Sequence, residues 1–266
     1  MLSETGAAGK CTTVGRRPPQ MKPSQEGGKK RIGEEEKARK NSRGLMGSSL
    51  RRVIDRGWAA VSSEESHGQL INNGGWKTWS PMWLCGAGLS NSTVGIIGLG
   101  RIGLAVARRL VPFGVKRFIY TDFQEIPENA KEINAEYVSN DKIAEDSDFV
   151  IVNCCLTPET EGLCNKDFFR RMKKTAILIN TSRGPVVNQE DLHDALTSGQ
   201  IAAAGLDVTT PEPIPTDHPL LSLKNCVILP HIGSATLDAR NAMSVLTVNN
   251  LLQGLAGEPM PCEVKL

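Results

Sequence analysis

Short apolar runs and longer segments with helical periodicity alternate from residue 93 onward. The apolar runs, several of which are apolar on both faces, predict β-strands at 93–97, 117–121, 148–153, 175–180, 201–206 and 226–229. The segments between them predict helices at 101–111, 128–134, 165–172 and 188–198. Asn188 is placed as the N-cap of the last of these helices, and Gly199 as its stop. The alternation predicts an α/β fold, a doubly wound parallel sheet covered by helices on both sides.

Residues 1 to about 45 lack this pattern, and residues 46–70 predict at most one short helix. The first 45 residues are rich in Gly, Ser, Pro and charged side chains, with charge runs at 29–31 and 34–36. Such a composition does not bury enough apolar surface to offset the entropy of ordering the chain. We therefore expect residues 1–70 to be a low-complexity, basic and disordered leader. A solvated tail is favoured over a nucleic-acid-binding arm and over an organellar presequence, and the glutamate run at 34–36 argues against the presequence.

Composition bears on the partners and the compartment of the protein. The net charge of +2 by itself favours no class of partner. No stretch approaches the roughly 20 apolar residues of a membrane span, and the N-terminus has no hydrophobic signal core. The seven cysteines show neither a C-x-x-C pair nor a metal-binding spacing, which favours buried thiols in a reducing compartment. We expect a soluble, cytoplasmic protein that binds no metal, membrane or nucleic acid.

Three glycines directly follow the first predicted strand. Gly98, Gly100 and Gly103 have G-x-G-x-x-G spacing, and a predicted helix begins within the motif. In a dinucleotide site, these glycines allow, in order, a tight turn, close approach of the pyrophosphate and close packing of helix on strand. A glycine-rich turn in another βα unit has the same letters, but the strand and helix on either side favour a dinucleotide.

Asp122 ends the second predicted strand, about 20 residues after Gly103, where an acidic residue binds a ribose 2′-hydroxyl. Its charge repels a 2′-phosphate, and residues 123–126 offer no Arg or Lys to hold one. These residues favour NADH over NADPH. The alternative is that Asp122 is a solvated turn residue.

Polar residues also lie at the ends of three later strands. Arg183 follows one predicted strand, Asp207 and Glu212 follow the next, and His231 follows the last. Ligands of open α/β sheets bind beyond the carboxyl ends of the strands. We therefore expect these loops to share one crevice with the glycine turn.

Three of these side chains suit the reduction of a 2-keto acid. The guanidinium of Arg183 is suited to bidentate binding of a carboxylate. The imidazolium of His231 is suited to giving a proton to the carbonyl oxygen, and the Glu212 carboxylate favours that charged ring. Taken singly, each residue has an alternative interpretation: His231 as a structural histidine, and Arg183 as a helix cap or as the partner of a surface acid. Together with the glycine turn, the set favours catalysis.

From about residue 71 to 266 the chain resembles the D-isomer-specific 2-hydroxyacid dehydrogenases, and within them the animal glyoxylate/hydroxypyruvate reductase group. The stretches that carry the resemblance are 72–76, 94–103, 161–169, 201–208 and 229–236. The resemblance implies an oxidoreductase that transfers a hydride from NAD(P)H to a small 2-keto acid such as glyoxylate or hydroxypyruvate. It also implies a cytosolic homodimer that prefers NADPH, in contrast to the preference for NADH that Asp122 indicates.

The resemblance also implies roles for particular residues. Arg183 is the substrate-binding catalytic arginine, His231 the proton donor and Glu212 its carboxylate partner. Asp207 lies near the nicotinamide. The other residues implied to line the cofactor site are Gly100, Arg101, Ile102, Cys155, Thr181 and Gly233.

Residues 1–70 match neither the substrate domain that begins these enzymes nor its connecting helix. We therefore expect an unrelated leader over 1–70, a dinucleotide-binding domain over 71–235, and over 236–266 only the last helix and tail of an incomplete substrate domain. We expect a helix at 236–254 whose apolar face lacks the substrate domain as its packing partner. The sequence does not decide whether the homodimer of the family forms in this chain. The alternative function is a catalytically impaired dinucleotide-binding protein or scaffold.

Overall fold

A computed structural model describes residues 72–81 and 85–263. Seven short strands of this part form one sheet in which every neighbouring pair is parallel. The strands are β1 (Thr93–Ile97), β2 (Arg117–Thr121), β3 (Ala135–Tyr137), β4 (Phe149–Val152), β5 (Ile177–Asn180), β6 (Ala203–Leu206) and β7 (Cys226–Ile228). Their order across the sheet is β3-β2-β1-β4-β5-β6-β7. The predicted doubly wound parallel sheet is confirmed.

Helices connect the strands and cover both faces of the sheet. They are α1 (Arg101–Leu110), α2 (Pro127–Ile133), α3 (Asn140–Asp146), α4 (Lys166–Arg171), α5 (Gln189–Thr197) and α6 (Leu237–Leu255). The predicted cap of α5 is confirmed, because the Asn188 side chain accepts hydrogen bonds from the N–H groups of Glu190 and Asp191.

The core has two layers because successive strand side chains point to opposite faces. On β4, Phe149 and Ile151 belong to the layer shared with α1 and α2. Val150 and Val152 belong to the layer shared with α3, α4 and α5. All four side chains are buried, which explains why this strand has a continuous apolar sequence.

The sequence prediction missed two elements and made several strands too long. β3 is a three-residue strand at the edge of the sheet, with the charged Glu136 at its centre, so its sequence has no apolar run. The short helix α3 buries only Ile143 and Ala144, too few apolar positions for a helical period to be visible. β5 was expected to begin at 175 but begins at Ile177.

The last helix, α6, presents apolar side chains to solvent. The less exposed side of the helix carries Ala239, Ala242, Asn250 and Gln253, and the exposed Met243 and Leu246 lie on this side as well. At 100° per residue, six large apolar residues cover an arc of roughly 120° on the other side. They are Leu237, Val245, Val248, Leu251, Leu252 and Leu255, all of which are exposed. Leu251 and Leu252 lie in this arc, whereas the exposed Met243 and Leu246 lie on the opposite side of the helix. The apolar surface of α6 is therefore not confined to one face, contrary to the expectation from the sequence, and within the described ranges nothing covers the arc. No described helix is long and apolar enough to cross a membrane.

The leader predicted over residues 1–70 lies outside the described residues. The proposed domain boundaries at 71 and 235 stay predictions.

The sheet has its topological switch point between β1 and β4. From β1 the chain continues to β2 and β3 on one side, and then returns to β4 on the other side. In open α/β sheets the crevice beyond the carboxyl ends of such a strand pair is where ligands bind. The glycine turn after β1 and residue Asn153 after β4 lie on its two sides.

Substitutions in the core and on the outer side of α6 are expected to differ sharply in their effect on stability. Leu178→Ala should lower the free energy of unfolding by about 2–5 kcal/mol, because it leaves a cavity in a packed core. Leu255 is 78% exposed, so Leu255→Gln should change the same quantity by less than about 0.5 kcal/mol. Chemical denaturation of both variants measures this, and a comparable loss in Leu255→Gln would show that this helix face is covered.

Candidate functional site

The three glycines after β1 have different surroundings. Gly98 has φ +95°, and a Cβ there would lie 2.6 Å from the backbone nitrogen of Cys154. A Cβ on Gly103 would lie 2.1 Å from the carbonyl oxygen of Gly98. A Cβ on Gly100 meets no atom within 4 Å. Gly98 and Gly103 are therefore required by packing, whereas the space in front of Gly100 is open.

The amino end of α1 faces this open space. Gly100 is its N-cap and provides no side-chain cap, and the first turn contains no acidic residue. Gly100, Arg101 and Ile102 are exposed. Uncapped N–H groups and a positive helix end suit a pyrophosphate. The residues present at this turn therefore fit a dinucleotide.

Asp122 ties the end of β2 to the glycine turn. Its Oδ2 atom accepts a hydrogen bond from the N–H of Leu99 over 2.8 Å, and its Oδ1 atom accepts one from the N–H of Phe123 over 2.9 Å. The residue is partly exposed, and each carboxylate oxygen has a further lone pair for a ligand. Asp122 therefore also supports the turn, a role that its position in the sequence did not reveal.

The predicted catalytic side chains lie together on the loops after β5, β6 and β7. Nδ1 of His231 hydrogen-bonds Oε2 of Glu212 over 2.9 Å. These side chains are 50% and 40% exposed, respectively. Arg183 is also exposed and close enough for its charge to act on Glu212. Their proximity agrees with the sequence interpretation, and their catalytic roles stay predictions.

The environment of Glu212 keeps its pKa below the usual range. The hydrogen bond from His231 has the largest lowering effect, and partial burial opposes it. The N–H of Thr209, which donates to Oε1 over 3.0 Å, and the charge of Arg183 lower the pKa further. Since the ionised carboxylate only accepts, Nδ1 of His231 carries a proton, and Nε2 is the ring nitrogen free to exchange one with a ligand.

Asp207 holds the turn that carries His231. This carboxylate is 3% exposed. It accepts hydrogen bonds from the N–H groups of Ile232 over 2.8 Å and Gly233 over 2.6 Å. His231 itself has φ +51°, in the left-handed region. Asp207 and Gly233 were predicted to line the cofactor site; the structure places them at this turn, and their contact with a cofactor stays a prediction.

Several supporting contacts were missed by sequence reasoning. The side chain of Gln189 donates to the carbonyl of Thr210 and accepts from its N–H, both over 2.7 Å. A Cβ on Gly184 would lie 2.0 Å from the carbonyl oxygen of Thr209. These contacts join the loops of Arg183 and Glu212. Gln189 had been interpreted only as the beginning of a helix, and single-sequence patterns carry no signal for such a contact between distant loops.

The remaining predicted cofactor residues, Cys155 and Thr181, follow β4 and β5. Cys155 is exposed and Thr181 is partly exposed. Burial raises the pKa of the neighbouring Cys154 thiol to about 11, so that thiol is neutral at physiological pH. The Thr181 hydroxyl donates to Oδ1 of Asn153 over 3.0 Å, a residue that the sequence prediction left unassigned.

All predicted site residues therefore lie at the carboxyl edge of the sheet. In a comparison with known protein families, the sequence of residues 59–233 matches the family described as the D-isomer specific 2-hydroxyacid dehydrogenase, NAD binding domain. The chain belongs to this dehydrogenase family.

Similar dehydrogenases include the human glyoxylate reductase/hydroxypyruvate reductase, with 69% identity over 196 residues that cover 74% of this chain and 60% of the relative. A glyoxylate reductase of Korarchaeum cryptofilum is 46% identical over 194 residues, covering 73% and 58%. The crystal structure of a glyoxylate reductase from Paecilomyes thermophila has a TM-score of 0.72 and 29% identity, covering 82% of this chain and 64% of that one. The chain thus spans about three fifths of the length of the curated relatives it matches.

The Glu212–His231 pair predicts a pH-dependent contribution to stability. Because the Glu212 pKa is lower in the folded chain than in the unfolded chain, the contribution is present above the unfolded value and is lost as the pH falls through the folded one. Both groups are more than a third exposed, so it amounts to no more than about 1 kcal/mol.

In His231→Ala the Glu212 pKa should rise toward its usual value, since the main hydrogen-bond donor is removed. Carboxyl-carbon NMR titration of both proteins measures this. Identical titration of Glu212 in the two proteins would contradict the contact.

The glycine turn predicts opposite outcomes for two similar substitutions. Gly103→Ala forces a Cβ against the Gly98 carbonyl and should lower the free energy of unfolding by about 1–3 kcal/mol. Gly100→Ala adds its methyl group to open space and should change it by less than about 0.5 kcal/mol. Thermal and chemical denaturation of the two variants provides the comparison, and equal losses would refute the assigned surroundings.

Proposed function

We propose that this chain is an oxidoreductase of the glyoxylate/hydroxypyruvate reductase type that reduces a small 2-keto acid with a nicotinamide dinucleotide. The observation that carries the proposal is the His231–Glu212 hydrogen bond of 2.9 Å beside Arg183. It lies at the sheet edge where a glycine turn fits a dinucleotide. The names of the relatives, which include glyoxylate and hydroxypyruvate reductases, support the substrate class.

Arg183 binds and orients the substrate in this proposal. One of its guanidinium nitrogens, Nη1, donates to the carbonyl of Ser182 over 2.7 Å. This bond leaves other N–H groups of an exposed side chain for the substrate. A planar guanidinium suits the carboxylate of a 2-keto acid, which it grips through two parallel hydrogen bonds. The adjacent keto group is thereby fixed relative to the histidine.

His231 supplies the proton. With Nδ1 held by Glu212, the protonated ring presents Nε2–H to the keto oxygen and stabilises the negative charge that develops there. Glu212 keeps the ring in this orientation by accepting the hydrogen bond from Nδ1. The bound dinucleotide supplies the hydride that reduces the keto carbon. The product is a 2-hydroxy acid.

Asp122 favours NADH as the reductant. Its carboxylate lies at the end of β2, and the residues that follow, Phe123 to Ile126, include no cation. A 2′-phosphate there would meet a negative charge without a compensating positive one. This is the preference that the residues themselves indicate, and it differs from the NADPH preference implied by the resemblance.

We also propose a cytoplasmic homodimer. The compartment is supported by the free thiols of the described cysteines. The dimer is supported by Trp76 and Trp79, which are 58% and 75% exposed on the segment before β1. Exposed tryptophans favour burial against another surface. Sedimentation analysis tests the dimer.

Turnover tests the reaction itself. The full chain should oxidise NADH when glyoxylate or hydroxypyruvate is added, followed by the absorbance of the reduced nicotinamide. His231→Ala should lower kcat by at least about 100-fold, because the proton donor is lost. The matched control His193→Ala lies on α5 outside the site and should leave kcat unchanged. Stabilisation by NADH without turnover would contradict catalysis and support the alternative dinucleotide-binding protein or scaffold.

Cofactor preference is tested by binding. NAD⁺ should bind at least about tenfold more tightly than NADP⁺, because of the repulsion at Asp122. The double variant Asp122→Ser, Phe123→Arg should reverse the order, since it removes the negative charge and adds a phosphate ligand. Isothermal titration calorimetry gives both dissociation constants, and equal affinities in the unaltered chain would overturn the proposed preference.

A further inference from the structure

Asn153 borders the crevice of the switch point. It directly follows β4, and its N–H donates to the carbonyl of Ile97 at the end of β1 over 2.8 Å. A Cβ on Gly98 would come within 2.9 Å of the Asn153 carbonyl carbon. The residue therefore lies against the glycine turn, on the β4 side. Sequence reasoning gave it no role.

The side-chain amide of Asn153 is only half satisfied. Its Oδ1 accepts the hydrogen bond from Thr181, whereas Nδ2 is closed to solvent and has no partner in the part of the chain that the structure describes. Rotating the amide by half a turn pairs Nδ2 with the Thr181 hydroxyl but leaves Oδ1 unpaired. In either orientation one polar atom lacks a partner. Buried polar groups of this kind call for a ligand, a water or a structural cost.

The strand order indicates which part of a bound dinucleotide would lie beside the Asn153 amide. Asp122, at the end of β2, is placed for the adenosine ribose, and the glycine turn after β1 for the pyrophosphate. Asn153 and Thr181 follow β4 and β5, on the opposite side of the switch point from Asp122. The part of the cofactor beyond the pyrophosphate is the nicotinamide ribose with its ring.

We propose that the Asn153 amide binds the nicotinamide half of the cofactor and that Thr181 holds the amide before binding. The proposal rests on the dinucleotide binding proposed above. The ribose hydroxyls and the carboxamide of this half both donate and accept hydrogen bonds, so they match either atom of the amide.

Binding requires a local movement. Because Nδ2 is shielded, the amide turns toward the crevice when the cofactor binds. Asn153 as a whole is partly exposed. Within the described ranges, the hydrogen bond from the Thr181 hydroxyl is the only side-chain hydrogen bond that opposes this rotation of the Asn153 amide.

The test compares ligand affinity with the stability of the ligand-free chain. Asn153→Leu, which is nearly isosteric, and Asn153→Ala should both bind NAD⁺ about tenfold more weakly, the effect of losing one hydrogen bond. Both should bind ADP-ribose, which lacks the nicotinamide ring, within about twofold of the unaltered chain if the contact is to the carboxamide. In Asn153→Leu the free energy of unfolding without ligand should be unchanged or higher, because the variant removes an unpaired buried group.

Asn241→Ala, on the exposed surface of α6, is the matched control and should change neither affinity nor stability. Calorimetry with NAD⁺ and ADP-ribose and urea denaturation of each protein give all the quantities. ADP, which lacks both the nicotinamide ribose and its ring, is titrated in the same way, and a loss of ADP affinity as large as the loss of NAD⁺ affinity would overturn the contact with the nicotinamide half. A loss of affinity that accompanies a loss of stability in both variants would assign Asn153 a structural role.

Two further results separate this proposal from the function on which it rests. If the unaltered chain binds NAD⁺ and both variants bind it equally well, the role of Asn153 is refuted and the proposed function stands. If the unaltered chain binds neither NAD⁺ nor ADP-ribose, the dinucleotide site fails and this proposal fails with it.

Discussion

The close approach of two backbone segments beyond β1 and β4 is the constraint on which the rest of this site depends. Gly98 lies against the Asn153–Cys154 peptide, and Gly103 lies against the carbonyl of Gly98. Side chains at these two glycines would push the turn, the helix and the neighbouring strand apart. With hydrogen atoms there, the amino end of α1 stays beside the switch point, and the open surface at Gly100 faces the crevice.

The loops on the other side of the crevice are held mainly by hydrogen bonds between side chains and backbone. Asp207 fixes the turn of His231, and Gln189 fixes the loop of Glu212. Each of these residues acts on main-chain groups of a loop distant in sequence. The Glu212–His231 pair itself is largely open to solvent, so its alignment depends on the two loops more than on its own attraction.

The sequence was informative where a pattern is local and poor where a contact is distant. Buried strands such as β4 have continuous apolar sequences, and the Asn188 cap precedes its helix directly, so both were predictable. The edge strand β3 and the charged helix α3 bury too few apolar side chains for a strand or helix periodicity to be visible in the sequence. Arg183, Glu212 and His231 could be predicted to lie together because each lies in a loop that follows a strand. Asn153 also follows a strand, but its uncharged amide does not indicate one particular role in binding or catalysis, so the sequence offers no reason to select it.

The proposed role of Asp122 in cofactor binding is physically linked to its observed structural role. The carboxylate that we propose binds the adenosine ribose is also the acceptor for the Leu99 N–H within the glycine turn. Any replacement that alters nucleotide selectivity must therefore supply another acceptor, or the turn is left with an unsatisfied amide. The proposed preference for NADH and the integrity of the glycine turn therefore depend on the same carboxylate, so that a substitution of Asp122 that changes one also affects the other.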